Sequence, residues 1–381
     1  PTTPGTPGRV GEVSSPRPPK APERNKKLQK VQLVIPTAPL PPTVAFQGEP
    51  GAHSESAVLL TFGPIAPRIP KKSFDLVFQA VNAGEVDIGM IPFENSLGGA
   101  VHVNFDLLFR YGLHIVGEST VAIKHCLLTR RGVALSQIRR VKSHPQALAQ
   151  CDQYIRSLNL ESIPGMNTAI AARELSESED EDLAVIAGAR AAELYGLQIV
   201  AKDIADEGAN YTRFLSIAQQ ALDPVPHVGK TSLAFAVLSA TSLPKALGLF
   251  EAGRLTVTKV EPRPCPPNIW KMSTDALANT ADAAAQHIDR GLLVFVDVMA
   301  TTHDPTLMRA IEGLCSLSHN VRVLGCYPFR CPGTPQGYSP TAPCSPSPRR
   351  QRGDVAADPW SATTIKNRKS KARSSLVRKA P

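Results

Sequence analysis

The sequence lacks the spacings by which cysteines hold disulfide frameworks or zinc ions. Its seven cysteines occur singly, with no Cys-x-x-Cys motif and no paired His/Cys spacing, at Cys126, Cys151, Cys265, Cys315, Cys326, Cys331 and Cys344. This pattern argues against a disulfide scaffold and a zinc site, and it favours a reducing compartment. The sequence also lacks an apolar run of about 18 residues, so we expect no membrane span.

Excess positive charge is missing from the middle of the chain. Residues 1–42 carry seven Lys/Arg against two acids and residues 331–381 carry ten against two, so residues 43–330 have a net charge of about −4. Nineteen of the 35 prolines also lie before Thr43 or after Arg330. A nucleic-acid binder keeps its basic patch on the folded domain, whereas here the middle of the chain is slightly acidic. The overall charge of +9 is therefore not a sign of a nucleic-acid partner.

The two ends are predicted to be disordered. Residues 1–42 are basic and acid-poor, as in the remnant of an organelle transit peptide, although a basic tail without a targeting role explains the composition nearly as well. Residues 330–381 form a second basic tail rich in Pro and Ser.

Strand and helix patterns alternate between residues 43 and 219, which predicts an α/β fold with a parallel sheet. The predicted strands include 44–47 and 86–92, and the predicted helices include 55–62, 74–83 and 147–158. We expect two lobes, one from residues 43–120 with 203–219 and the other from residues 121–202. Two lobes joined by two crossovers leave a cleft in which a small anion can bind.

A different pattern covers residues 230–329. Its predicted order is βαββαβ, that of a ferredoxin-like α+β fold. Residues 265–290 interrupt this order as an insertion, for which we expect a loop and a helix over 274–290.

The most informative motif is Asn210-Tyr211-Thr212-Arg213-Phe214. Thr212 carries a hydroxyl that can donate a hydrogen bond, and Arg213 can fork onto a carboxylate. Together they suit an anionic substrate that loses an oxygen. We expect Thr212 to be the donor to a leaving hydroxyl, Arg213 to be a carboxylate clamp or the support of that clamp, and Asn210 to orient the loop or the substrate. Phe214 is expected in the core.

A second polar set, Glu94-Asn95-Ser96, follows a predicted strand. Asn95 and Ser96 are candidate substrate contacts. For Glu94 two interpretations stay open: a buried acid with a raised pKa, or a cap of the turn at 96–99.

Three further candidates lie at predicted helix starts: Ser54, Ser143 and Thr168. Each suits substrate binding near helix N–H groups, and each also suits simple capping.

Seven segments in order resemble the prephenate/arogenate dehydratases of the plant and algal type. They include Val44–Glu55, Ile91–Gly99, Ser143–Cys151, Val185–Leu197 and Asn210–Leu215, and the resemblance covers roughly residues 43–328. It implies a two-lobed, periplasmic-binding-protein-like catalytic domain at 43–219 and an ACT regulatory domain at 230–329. It also implies a lyase that converts arogenate to phenylalanine or prephenate to phenylpyruvate by dehydration coupled to decarboxylation, without a metal or an organic cofactor.

Resemblance extends to regulation. Lys259-Val260-Glu261-Pro262-Arg263-Pro264 is similar to the family's Glu-Ser-Arg-Pro effector motif, which implies phenylalanine binding by Leu243, Glu261 and Arg263. Pro262 departs from that motif, and His53 stands where the family has Tyr or Phe. The resemblance also implies a homodimer or homotetramer and the plastid stroma, or otherwise the cytoplasm.

A second class of function stays open at this stage: an inactive regulator that binds an amino acid through the same fold. Such a protein would retain the effector motif and lose Thr212, whereas this sequence retains Thr212 and alters the effector motif. The enzyme is therefore favoured. The choice between arogenate and prephenate is left open by the sequence.

Overall fold

The computed structural model describes residues 40–237, 239–265 and 291–329, which form three β-sheets with helices packed against them. Residues 1–39 of the predicted tail at 1–42, the predicted tail at 330–381 and the predicted helix at 274–290 lie outside the described residues. Among the described residues, no helix combines the length and apolar character that a membrane span requires.

The first sheet is mixed. Its strands are β1 (Val44–Gln47), β2 (Arg68–Lys71), β3 (Ile88–Asn95), β4 (Gly99–Ala100), β5 (His114–Ala122) and β11 (Tyr211–Ala218). Its helices are α1 (His53–Phe62), α2 (Phe74–Asn82) and α3 (His102–Tyr111). β1 pairs in parallel with β2 and β3, whereas β11 inserts antiparallel between β3 and β5. The predicted parallel sheet therefore holds for β1, β2 and β3 but not for β11, because the chain returns from the second lobe in the opposite direction.

The second sheet lies entirely within residues 126–201. Its strands are β6 (Cys126–Thr129), β7 (Arg140–Ser143), β8 (Glu161–Pro164), β9 (Leu183–Ala187) and β10 (Gln198–Ala201), in the spatial order β10-β6-β9-β7-β8. Its helices are α4 (Pro145–Ala149), α5 (Asp152–Ser157), α6 (Thr168–Glu177) and α7 (Ala189–Tyr195). Residues 123–125 and 202–210 connect the two sheets, which gives the two-lobed arrangement of periplasmic-binding-protein-like folds.

The third sheet has the predicted βαββαβ order. It comprises β12 (Lys230–Val237), α8 (Leu243–Ala252), β13 (Val257–Pro264), β14 (Leu292–Val298), α9 (Pro305–Leu317) and β15 (His319–Tyr327). Its strands run antiparallel in the order β13-β14-β12-β15, as in ferredoxin-like folds. One face packs against α8 and α9, and the other face shares a hydrophobic core with the first sheet.

Local chemistry explains where the predicted elements differ. Ser54 does not cap α1, since Ala52 occupies that position and the Glu55 carboxylate accepts a hydrogen bond from the Gly51 N–H at 2.7 Å. The predicted helix 147–158 is divided into α4 and α5, because the backbone of Cys151 leaves the helical region. Strand β2 was not predicted: two of its four residues are charged and one is proline, and its register comes from pairing with β1.

Close backbone packing fixes the third sheet against the first. A Cβ atom at Gly325 would lie 2.1 Å from the carbonyl oxygen of Ile115, so only glycine allows β15 to approach β5 this closely. We expect Gly325→Ala to destabilise the protein by about 1–3 kcal/mol, because a backbone atom cannot yield as a side chain can. Thermal unfolding measures this effect.

Gly248→Ala is the matched control for this substitution. Gly248 lies inside α8 with no atom within 4 Å of the added Cβ, so the change should stabilise the protein by up to about 1 kcal/mol. Equal destabilisation by the two substitutions would contradict the proposed packing constraint.

Candidate active site

Strand β11 directs two neighbouring residues of the motif to opposite faces of the first sheet. Side chains alternate along a strand, so Thr212 shares a face with Asn95, its partner on β3, and Arg213 shares the other face with Glu94. Phe214 is buried in the core beside α1, as predicted. The motif therefore places its hydroxyl and its guanidinium in different environments.

Asn95 controls the direction of the hydrogen bond at Thr212. Its Oδ1 accepts the backbone N–H groups of Leu97 and Gly98 at 3.1 and 2.6 Å, which fixes the orientation of the amide. Its Nδ2 therefore points the other way and donates to Thr212 Oγ1 at 3.0 Å, while it also contacts Asn210 Oδ1 at 2.7 Å and the Tyr211 carbonyl at 3.1 Å. Because Thr212 Oγ1 accepts from Asn95, its own hydrogen remains available to a third group.

The chain of polar contacts continues into the second lobe. Asn210 Nδ2 donates to Gln150 Oε1 at 3.0 Å, and the same oxygen lies 2.8 Å from Nε2 of His125. An oxygen that can only accept requires the proton of neutral His125 on Nε2. Gln150 is thus fixed from both sides and connects the end of α4 to the motif at residues 210–214.

The two lobes approach each other closely at three points. A Cβ at Gly98 would lie 2.0 Å from Gln146 Nε2, so the Gln146 side chain lies directly over Gly98. A Cβ at Gly51 would lie 3.1 Å from the Cα of Ala191 in α7, and the Tyr195 hydroxyl donates to the Pro50 carbonyl at 2.8 Å. The polar chain around Thr212 therefore lies between the lobes, and its members Asn210, Thr212 and His125 are buried.

Two imidazoles lie at this junction. The rings of His53 and His125 meet edge to face with centroids 6.0 Å apart. His53 Nε2 and His125 Nδ1 are buried without a hydrogen-bond partner. Burial, together with the neighbouring His125, lowers the pKa of His53 to about 4, and burial also lowers the pKa of His125. Both rings are neutral at pH 7.

On the opposite face of the sheet, Arg213 lies among acidic groups from two domains. Its guanidinium is 2.9 Å from Glu94, 2.8 Å from Glu118 and 2.7 Å from Asp297, and it donates to the Tyr327 hydroxyl at 3.1 Å. We name these five residues, with Lys230, Ser232 and Lys259, the interdomain network.

The three remaining members complete the interdomain network. Lys259 of β13 donates to Glu94 at 2.6 Å, and Lys230 of β12 donates to Glu118 at 3.0 Å. Ser232 bonds both Asp297 and the Tyr327 hydroxyl. The charges of the network are therefore paired with one another. The Arg213 guanidinium donates to Glu94, Glu118 and Tyr327, whereas Asp297 Oδ2 lies at ion-pair distance from it without a hydrogen bond.

The charges of the network hold one another in the ionised form. Burial opposes the charge of Glu94, but hydrogen bonds from Lys259 and Arg213 outweigh it and hold the pKa below its ordinary value. Of the two interpretations left open for Glu94, the raised pKa is therefore wrong, and the turn is capped by Asn95 rather than by Glu94. Burial likewise opposes the charge of Arg213, but Asp297, Tyr327 and Glu118 keep its pKa above the ordinary value.

The other predicted site residues divide into those near the polar chain and those away from it. Ser96 exchanges hydrogen bonds with the backbone of residues 209 and 211, so it holds the loop before β11. Ser143 is fully buried and donates to the Ile186 carbonyl at 2.7 Å, while His144 rather than Ser143 caps α4. Ser143 therefore has no exposed hydroxyl to offer to a substrate.

Ser54 and Thr168 lie in the first turns of α1 and α6. Ser54 is nearly buried, Thr168 is half-buried, and the cap of α6 is Asn167, which accepts from the Ile170 N–H at 2.7 Å. Thr168 is thus released from capping, and its helix start remains a candidate for holding an anion.

The predicted effector residues are separated by the third sheet. Leu243 begins α8 and packs on the helix-covered face. Glu261 and Arg263 contact α3 of the first lobe: Glu261 lies 3.2 Å from His102 Nε2, and Arg263 lies 3.2 Å from Asp106. In this structure Glu261 and Arg263 therefore act as interdomain contacts.

Sequence reasoning missed His53, His125, Gln146 and Gln150 as site residues. One signal was present for the two glutamines, since residues four apart on a helical segment share a face. For the histidines no local signal exists, because only the folding of two lobes brings them together.

Comparison with known proteins agrees with the geometry. A family model described as prephenate dehydratase matches residues 44–222. The arogenate dehydratase/prephenate dehydratase 2, chloroplastic, of Arabidopsis thaliana is 40% identical over 287 residues, which cover 75% of this chain and 72% of that protein. The chain belongs to the prephenate dehydratase family.

Two solved structures are also similar to this family member. The prephenate dehydratase of Arthrobacter aurescens in complex with L-Phe has a TM-score of 0.65 at 25% identity, and the alignment covers 88% of this chain and 99% of that chain. A structure described as a novel type of quorum quenching acylase has a TM-score of 0.64 at 31% identity, with 76% and 98% covered. Within the described residues, no group of three or more His, Cys, Asp or Glu side chains is arranged to hold a metal ion.

His53 makes the stability of this prephenate dehydratase family member depend on pH. Its pKa is near 4 in the folded protein and near 6.5 in the unfolded chain, so the unfolded chain binds the additional proton first as pH falls. Stability is therefore lost as pH falls from about 6.5 to 4. We expect His53→Phe to remove on the order of 1–3 kcal/mol of this loss.

Chemical denaturation at pH 7.5, 6.0 and 4.5 measures the free energy of unfolding of the wild type and of His53→Phe. The control is His303→Phe, a histidine that the structure places in the third-sheet region with one ring nitrogen on the Val225 carbonyl. Parallel pH profiles for wild type and His53→Phe would show that the buried imidazole is not the titrating group.

Proposed function

We propose that this chain is an arogenate/prephenate dehydratase, a lyase that removes the ring hydroxyl as water and the ring carboxylate as carbon dioxide in phenylalanine biosynthesis. The observation that carries the proposal is the direction of hydrogen bonding at Thr212. Asn95 donates to its oxygen, and this leaves its hydrogen for a leaving hydroxyl of a substrate bound between the lobes.

Thr212 assists the reaction by stabilising the leaving group. As the C–C bond to the ring carboxylate breaks, its electron pair enters the ring, the ring becomes aromatic, and the C–O bond to the hydroxyl breaks. The departing hydroxide takes up one proton from solvent to become water, and the Thr212 hydrogen bond stabilises its charge as it develops. A hydrogen bond that strengthens in the transition state raises kcat rather than substrate affinity.

Arg213 supports this arrangement without touching the substrate. Its guanidinium faces the interdomain network, so carboxylate binding falls to groups on the Thr212 face of the sheet. The starts of α1 and α6, with Ser54 and Thr168, carry backbone N–H groups of the kind that hold an anion. We therefore propose Ser54 and Thr168 as carboxylate contacts, and Asn95, Ser96 and Asn210 as residues that position Thr212.

The cleft does not favour an acylase activity. Acyl transfer by a side chain requires a nucleophile paired with a base. Among the described residues, the hydrogen-bond partner of Thr212 is the amide of Asn95 rather than a base, and burial raises the pKa of the Cys151 thiol to about 12. The polar chain between the lobes also favours the enzyme over the inactive regulator, because a binding protein has no need to direct a threonine hydrogen.

We propose that the third sheet is an ACT domain and that phenylalanine is its effector. The ferredoxin-like strand order and the Glu261-Pro262-Arg263 motif support this proposal. We further propose a homodimer or homotetramer, because ACT domains generally pair side by side. The chloroplastic relative supports a plastid location for this chain.

Incubation of the purified protein with arogenate and, separately, with prephenate tests the proposed function. Formation of phenylalanine or phenylpyruvate is followed, and the ratio of kcat/KM for the two substrates defines the preference. Lack of turnover of both substrates by the wild type would overturn the proposal. Phenylalanine added to the same assay tests the effector.

Substitution of Thr212 tests its role directly. We expect Thr212→Val to lower kcat by about 10²–10⁴-fold with a small change in KM, since the shape is kept and the hydrogen bond is lost. Thr212→Ser keeps the hydroxyl and should retain most of the activity. Steady-state kinetics of both variants separates loss of the donor from loss of packing.

Asn95→Asp tests the direction of the hydrogen bond. A carboxylate can only accept, so Thr212 would turn its hydrogen toward residue 95 and kcat would fall although the Thr212 hydroxyl is intact. Unchanged kcat in this variant would contradict the proposed geometry.

A further inference from the structure

We infer that the C-terminal sheet (the third sheet, β12–β15) supplies positioning residues for catalysis. Asp297, Tyr327 and Lys259 hold Arg213 and Glu94. These contacts thereby set the geometry of Thr212 and Asn95. This inference rests on the proposed function for its kinetic test. It assigns a role in the reaction to residues outside the catalytic lobes.

Residues of the cleft and residues of the interdomain network are neighbours along two paired strands. Thr212 precedes Arg213 on β11, and Asn95 follows Glu94 on β3, with Thr212 opposite Asn95 and Arg213 opposite Glu94 in the register. A rotation or shift of the strand backbone at Arg213 or Glu94 therefore moves the neighbouring residue on the cleft face. The two side chains that share the decisive 3.0 Å hydrogen bond are each one residue from the interdomain network.

The C-terminal sheet supplies contacts to both Arg213 and Glu94. Asp297 on β14 and Tyr327 on β15 contact Arg213 directly, and Lys259 on β13 donates to Glu94. Three of the four strands of the C-terminal sheet thus contribute one contact each. Within the catalytic lobes, the charge of Arg213 is balanced by Glu94 and Glu118 alone.

The contacts around Arg213 lie in a buried and closely packed environment. Asp297 and Tyr327 are buried, Arg213 is nearly so, and Ser232 fixes Asp297 and Tyr327 in turn. Phe93, Phe105 and Phe295 pack beside the charges, and Arg213 lies 5.5 Å from the centre of the Phe93 ring. A buried charge that loses one partner reorients or draws in water, because an uncompensated buried charge is costly. Loss of a contact from the C-terminal sheet should therefore change the position or mobility of β11.

Removal of single C-terminal contacts tests the inference in the full-length protein. Asp297→Asn removes a charge and keeps the shape, and Lys259→Met removes the contact to Glu94. We expect each to lower kcat at least about tenfold, while KM changes by less than about threefold. Tyr327→Phe removes one hydrogen bond and keeps the ring, so we expect a smaller loss of about two- to fivefold in a protein that folds normally.

Matched controls lie in the same region of the chain. Asp304→Asn repeats the aspartate change at the cap of α9, where asparagine also caps, and Lys245→Met repeats the lysine change at an exposed position of α8. Both controls should retain wild-type kcat and KM.

Hydrogen exchange gives a readout that does not need turnover. Peptides covering residues 88–98 and 208–218 should exchange faster in Asp297→Asn and Lys259→Met than in the wild type or the controls. Lower thermal stability with unchanged kcat per folded molecule and unchanged exchange in both peptides would overturn the inference, since it would leave only a structural role. An inactive wild type would overturn the proposed function, and the exchange data would still decide the positioning role.

Discussion

Ion pairing of Arg213 in the buried interdomain network is the interaction on which the arrangement of the site depends. A guanidinium in a nearly closed space requires several acidic or hydroxyl partners, and here Glu94, Glu118, Asp297 and Tyr327 supply them. These groups come from the first sheet and the C-terminal sheet. Satisfying one positive charge therefore fixes the position of β11 relative to two domains at once.

Because side chains alternate along a β-strand, the ion pairs of Arg213 on one face of the sheet also constrain the neighbouring residues on the other face. Since neighbouring side chains point in opposite directions, β11 presents Arg213 to the C-terminal sheet and Thr212 to the space between the lobes. Strand β3 repeats the arrangement with Glu94 and Asn95. One motif thus combines the proposed donor Thr212, the ion-paired Arg213 and the core residue Phe214.

The cleft shows where prediction from sequence succeeds and where it ends. Thr212, Asn95 and Asn210 were predicted because they lie within short motifs, and the structure places Asn95 within hydrogen-bond distance of both Thr212 and Asn210. Gln150 and His125 were not predicted, because the contacts of Gln150 to Asn210 and to His125 join residues 60 and 25 positions apart. The raised pKa considered for Glu94 was wrong, since its pKa depends on Lys259, a residue of the third sheet.

By itself, the sequence determined the α/β and ferredoxin-like element orders, most helix bounds, and the motif that carries the donor. These features follow from local hydrophobic periodicity and from short-range chemistry, which a linear sequence contains. Only the tertiary structure decided the antiparallel insertion of β11, the face on which each motif residue lies, and the partners of Arg213. Those depend on strand register and on contacts between residues more than 80 positions apart, where burial and charge compensation rather than local preference select the arrangement.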